Sequence, residues 1–142
     1  MAPIEWLDHT ADAGFRVCGD SMADVFEQAA RGLFSVMVDV EHVRETTSYR
    51  TDLIAPSLEE LLVAWLSDLL AQKDLTGLVF SRFRAAVTRE TAGASRMVGE
   101  AWGEPLDRRR HRAKGEVKGI SYLGLRVEPQ GEGWIAQVVV DV

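Results

Sequence analysis

An α+β fold with two main helices packed on a mostly antiparallel β-sheet is predicted by three observations. Two segments carry a helix start signal followed by apolar residues at helical spacing. Five further segments are rich in β-branched and aromatic residues and are separated by polar or glycine-containing breaks. The order runs from short strands through helix, strand and helix to a final run of strands, which does not alternate helices with parallel strands.

The first helix starts at Ser21, whose hydroxyl can cap the free backbone donors of the first turn. Its stripe is Phe26, Ala29, Ala30, Leu33, Phe34 and Met37, and it should run to about Met37. Tyr49 to Ala55 reads as a strand. Ser57 then follows Pro56 and precedes Leu58-Glu59-Glu60, a capping box for a second helix with the stripe Leu58, Leu61, Leu62, Trp65, Leu66, Leu69 and Leu70. At ~1.5–3 kcal/mol for each large apolar side chain buried, this helix is a main source of core stability, and Trp65 belongs to the core rather than to a ligand platform. Leu78 to Thr88, Arg96 to Trp102, Gly115 to Val127 and Gly133 to Val140 complete the strands, with Gln130-Gly131-Glu132-Gly133 as the tight turn of a last hairpin.

Nothing divides the chain: 142 residues suit one domain with one core, residues 1–142, and there is no repeat, low-complexity tract or linker. Hydrophobic residues are 46% and charged residues 27%, far from the composition of disorder. A net charge of −6, from 22 acidic and 16 basic groups, works against general binding to phosphate backbones. The lone Cys18 allows no intrachain disulfide and fits a reducing compartment. The opening residues lack a secretory pattern, and Leu58 to Leu70 is broken by Glu59, Glu60, Ser67 and Asp68 where a membrane span needs roughly 20 predominantly apolar residues. The expected location is the cytoplasm, with no membrane partner.

Three clusters could carry chemistry. Asp8-His9-Thr10-Ala11-Asp12-Ala13-Gly14 places two carboxylates and an imidazole within five positions. Fully extended, the Cα atoms of Asp8 and Asp12 would stand ~13 Å apart, too far for one ion to bridge, so either the chain turns at Ala11 or one aspartate alone is a ligand. The plain alternative is that Asp8 or Thr10 caps a turn. The ending Val138-Val139-Val140-Asp141-Val142 brings a side-chain carboxylate and an α-carboxylate together, which suits a hard cation, or is merely a charged edge. Arg108-Arg109-Arg110-His111-Arg112-Ala113-Lys114 is a basic run without interleaved aromatics, read as a solvated connection that touches phosphates or a charged partner only as a second choice.

Several scaffolds are absent. There is no GxxxxGK[ST], GxGxxG, HExxH or CxxC, which leaves nucleotide hydrolysis, dinucleotide binding and zinc sites without their usual frames. Gly124 falls one place too late for Ser121 to sit in GxSxG. His9, His42 and His111 are scattered and form no ligand spacing.

Taken together, the segment from Asp8 to Gly14, the first helix ending Gly32-Leu33-Phe34-Ser35-Val36-Met37 and the Leu-rich second helix with Trp65 resemble the archease family. Asp74 to Phe80, Glu116 to Leu125 and the ending Val140-Asp141-Val142 resemble it too, so the likeness spans nearly the whole chain. It implies that Asp12, Asp141 and the terminal Val142 bind one divalent metal ion, commonly calcium, where the chain ends meet. Asp8, His9 and Lys118 become neighbours that orient ligands or contact the partner. The implied role is a protein cofactor, without a catalytic cycle of its own, of an RtcB-type tRNA-splicing ligase. It promotes GTP-dependent guanylylation and multiple turnover of the ligase in tRNA processing, touching tRNA only indirectly. Two other classes are a chaperone or modulator of RNA-modifying enzymes such as tRNA methyltransferases, and a small metal-dependent hydrolase using His9 as base. The chain departs from the family pattern at Leu123, where a histidine is usual, at Ala13, and at Arg112 to Gly115, which is more basic.

Overall fold

The computed structural model describes residues 4–7, 12–90 and 92–142. In chain order the elements are β1 (Glu5–Leu7), β2 (Asp12–Gly19), α1 (Met22–Met37), a 3-10 turn (Val40–His42), β3 (Thr47–Ala55), α2 (Leu58–Thr76), β4 (Leu78–Arg89), β5 (Ser95–Pro105), β6 (Gly119–Gln130) and β7 (Gly133–Asp141).

Both helices start where their caps predict. Ser21 Oγ accepts the Asp24 N–H at 3.1 Å, and Ser57 Oγ accepts the Glu60 N–H at 3.1 Å. The second box differs in one bond, because the Ser57 hydroxyl donates to the Glu60 carboxylate at 3.0 Å. Gly77, at φ +76°, closes α2 in the left-handed conformation that glycine adopts without cost, its N–H reaching Lys73 O at 2.8 Å. The expected stripes are the buried faces: Phe26, Leu33, Phe34 and Met37 of α1, and Leu61, Leu62, Trp65, Leu66 and Leu69 of α2, are at most 1% exposed. Trp65 is a core residue whose indole N–H donates to Phe26 O at 3.1 Å.

The strands form two antiparallel sheets where a single one was expected. The first has the order β1-β2-β7-β6 and the second the order β3-β5-β4. Helix α1 packs on β2 and β7 of the first sheet and on β4 of the second, while α2 packs on β6 and on all three strands of the second. One core therefore joins both sheets through the helices. Phe34 stands edge-on to Phe80 at 5.5 Å and stacks on Phe83 at 5.8 Å, and Trp65 meets Phe83 edge-on at 6.4 Å. Helix α1 also covers the free edge of β4. The Glu27 carboxylate accepts the Ala85 N–H at 2.9 Å, and Arg31 donates to Ser81 O at 3.0 Å, which satisfies backbone groups that would otherwise invite pairing.

The last hairpin turns at Gly131-Glu132, with φ +60° at Gly131, as a two-residue loop with glycine first requires. Strand β6 begins at Gly119 rather than Gly115, because residues 106–118 form an anchored connection. The Leu106 N–H bonds Gly77 O at 2.8 Å, the Lys114 N–H bonds Met37 O at 2.8 Å, and the ladder starts only after the Lys118 N–H reaches Asp141 O at 2.7 Å. Among the described residues no helix is long and apolar enough to cross a membrane.

Candidate functional site

The centre of the first sheet sets the start of β2 beside the end of β7. Strand β7 lies between β2 and β6, and the register sets Asp12 opposite Asp141 and Asp141 opposite Gly119. The end of β7 explains why the site is exposed there. Val138, Val139 and Val140 are buried and hold the strand in the core, whereas Asp141 and Val142 pass its end and are exposed.

Of the residues singled out in the sequence, the fold brings Asp12, Lys118, Asp141 and Val142 to this one corner. Asp12 is described through its backbone alone. Asp8 and His9 lie outside the described residues. Lys118 is exposed, and its main-chain N–H donates to Asp141 O. The Asp141 carboxylate leans towards β6: a Cβ built on Gly119 would stand 3.7 Å from Asp141 Oδ2.

Among the described residues no three His, Cys, Asp or Glu side chains gather as a metal cage. The ligand set implied by the resemblance has one side chain of that kind fully described, Asp141, together with the main-chain carboxylate of Val142. All the donors in question are oxygens, which suits calcium or magnesium and not a soft metal. The register places position 12 opposite Asp141, whose carboxylate is the one acidic side chain described at this corner.

The basic run is an exposed connection over Arg108, Arg109 and Arg112 to Lys114, as expected, but its anchored centre was missed in the sequence. His111 is fully buried, with Nε2 at 2.8 Å from Glu104 Oε2 and Nδ1 accepting the Asp107 N–H at 2.9 Å. With Nδ1 an acceptor, the ring carries its proton on Nε2 and donates to the carboxylate. Arg110 forks onto the same group at 2.7 and 2.8 Å, and the Arg44 N–H adds a bond at 2.7 Å. The Arg110 bonds above all, then the Arg44 N–H and His111, hold the Glu104 carboxyl well below the usual carboxylate range against the opposing effect of burial. This network fastens the 106–118 connection to β5, and that connection delivers Lys118 to the chain-end corner. Its signal in the sequence was weak, since Glu104 and His111 come together only through a loop in which Arg112 takes φ +53°.

A model of the Archease protein family matches residues 5–142. The chain belongs to the archease family. Among its relatives, Protein archease of Thermococcus gammatolerans is 40% identical over 143 residues, covering all of both chains. Protein archease of Methanosarcina acetivorans is 39% identical over 138 residues, 97% of this chain and 94% of the relative. The solution structure of Methanobacterium thermoautotrophicum protein 1598 superposes with a TM-score of 0.85 at 29% identity, covering 98% of each chain. A crystal structure from Thermotoga maritima, described as an archease and possible chaperone, gives a TM-score of 0.59 at 20% identity and supports the archease fold alone. The two-helix, antiparallel α+β class is the archease fold.

Proposed function

We propose that this archease-family protein is a metal-binding protein cofactor of an RtcB-type tRNA-splicing RNA ligase, promoting the ligase's GTP-dependent guanylylation and multiple turnover. The observation that carries the reading is the register of β2, β7 and β6, which sets position 12 against position 141 beside the last residue. In an antiparallel ladder directly opposed positions have Cβ atoms ~4.5–5.5 Å apart, close enough for one ion to take an oxygen from each. Asp12, Asp141 and the Val142 carboxylate would hold one divalent ion, calcium by the family's habit, and Lys118 orients Asp141 through its main-chain N–H. A divalent ion held there supplies positive charge that phosphate oxygens of a bound nucleotide can use. The residues' own contribution is to hold that charge at an exposed corner, where a partner's active centre can reach it. Asp8 and His9 flank the site in sequence and are assigned to partner contact.

The deciding experiment is a multiple-turnover RNA ligation assay with the ligase of the same cell, with and without this protein. Stimulation that is lost in Asp12→Ala and Asp141→Ala variants of native circular dichroism supports the reading. Unchanged turnover on adding the protein overturns the ligase role, and full stimulation by both folded variants overturns the metal site. Recovery of a tRNA methyltransferase but no ligase from the cell would assign the protein to the modulator class instead.

A further inference from the structure

The second sheet has one face against the helices and one face open. Strand alternation turns Phe80, Phe83, Met97 and Ala101 inward, and sets Arg50, Arg84, Glu100, Trp102, Arg82 and Arg96 on the other side. These residues come from three strands and are scattered in the sequence, so the grouping is visible only through the register. Arg50 and Arg84 both stand directly opposite Glu100, one from each side. In the next row Trp102 carries the Arg82 guanidinium 3.8 Å above its ring. Among the described residues Arg82 pairs with Glu45 and Arg96 with Asp52, whereas Arg50 and Arg84 pair with no carboxylate. A depression of about 310 Å³ is lined by Arg50 and Arg84 together with Val98, Gly99 and the Glu100 that lies between them in register.

A protein with net charge −6 here presents four arginines against Glu45, Asp52 and Glu100. An antiparallel sheet facing solvent needs polar residues but no excess of one sign. Two unpaired guanidinium forks about two strand spacings apart, ~10 Å, beside an aromatic ring already stacked on a cation, match a chain that alternates anionic groups with flat π-faces. We propose that this open face binds single-stranded RNA, with Arg50 and Arg84 on two backbone phosphates of one strand across the depression and Trp102 with Arg82 as a stacking platform for a base. A protein partner could use the same tryptophan and arginines, and the test below separates the two. The face uses strands other than those of the chain-end corner, so it stands or falls apart from the metal reading.

The test is fluorescence anisotropy of the protein with a labelled ten-nucleotide oligouridine, across a salt series from 50 to 200 mM, for wild type, Arg50→Gln/Arg84→Gln, Trp102→Thr and Glu132→Gln. Wild type should bind with an affinity that falls with salt. Loss of two phosphate contacts should weaken binding by about tenfold or more at low salt and reduce the log–log salt slope by about 1.4. Trp102→Thr should weaken binding by about tenfold with the salt slope unchanged, since stacking rather than charge is removed. Glu132→Gln, an exposed change in the β6–β7 turn outside both proposed sites, should bind as wild type. No binding by the wild type, or equal binding by the double variant, overturns the proposal. So does a double variant that binds RNA normally yet loses stimulation of a ligase, which would make the face a protein contact. Circular dichroism melts of each variant identify any that are unfolded, and Arg50→Lys/Arg84→Lys, which keeps the charge, should then recover most of the affinity.

Discussion

Replacing Glu104 with glutamine removes the charge at the centre of the polar network while keeping the side chain's size. The carboxylate is 6% exposed and takes four close contacts, from the Arg44 N–H, two Arg110 nitrogens and His111 Nε2. A glutamine presents an amide NH₂ to at least one of these donors, so a donor faces a donor and the Arg110 guanidinium loses its counter-charge. Breaking a buried charge pair from one side costs about 3–5 kcal/mol, and that range is the expected loss at pH 7. With a urea slope of about 2 kcal/mol/M, the unfolding midpoint should fall by about 1.5–2.5 M. The pH dependence gives an independent check. Because the folded state holds the Glu104 carboxyl below its ordinary value of 4.5, the stabilisation is complete above that value and is lost as pH falls from there towards the lower folded value. Wild type and Glu104→Gln should therefore converge in stability on acidification below pH 4.5. A loss under about 1 kcal/mol at neutral pH, or a difference that stays constant into acid, would refute the assignment of this network as a structural anchor.

Three other perturbations test separate parts of the fold. Gly103→Ala would drive a Cβ into Val79 O in the paired strands beside the β4 bulge, so the sheet must shift; a loss above about 3 kcal/mol is expected in a thermal melt. Burial, acting more strongly than the opposing Ala85 N–H, raises the Glu27 carboxyl above 4.5, so its ionisation destabilises the fold as pH rises through the raised value. Glu27→Gln keeps an acceptor for that N–H and should unfold at a higher temperature than wild type at pH 8, with the advantage gone at pH 4. Adding residues after Val142 replaces a carboxylate with a peptide group and should weaken calcium binding in a titration by about tenfold, although no side chain is removed.

The parts of the fold legible in the sequence are those set by neighbours along the chain. Ser21 and Ser57 cap their helices because the donor they satisfy is three residues away, and the stripes through Phe34 and Trp65 follow from helical geometry. The division into two sheets was not legible, since nothing local tells β7 to pair with β2 and β6 while β5 pairs with β3 and β4. For the same reason neither aspartate cluster was convincing by itself: Asp12 and Asp141 are neighbours only through the β2–β7 ladder. His111 was misplaced because charge content marks the run from Arg108 to Lys114 as solvent-facing, and only the loop's backbone shows one ring turned inward to Glu104. The open arginine face was invisible for the converse reason, since each of its residues looks like an ordinary outward position in its own strand.

The central place of β7 also dictates when the corner can exist. Strand β7 follows every other described element in the chain, yet it is the inner strand that joins β1 and β2 to β6. During synthesis β2 must wait with an unpaired edge until β7 has left the ribosome, and the long separation between partners makes this closure a slow step. Oxygens brought together by that closure are available only on a finished molecule. If the corner is the metal site proposed above, a chain that has not yet placed β7 carries Asp12 without Asp141 opposite it, and stimulation of a partner would report that β7 is in place.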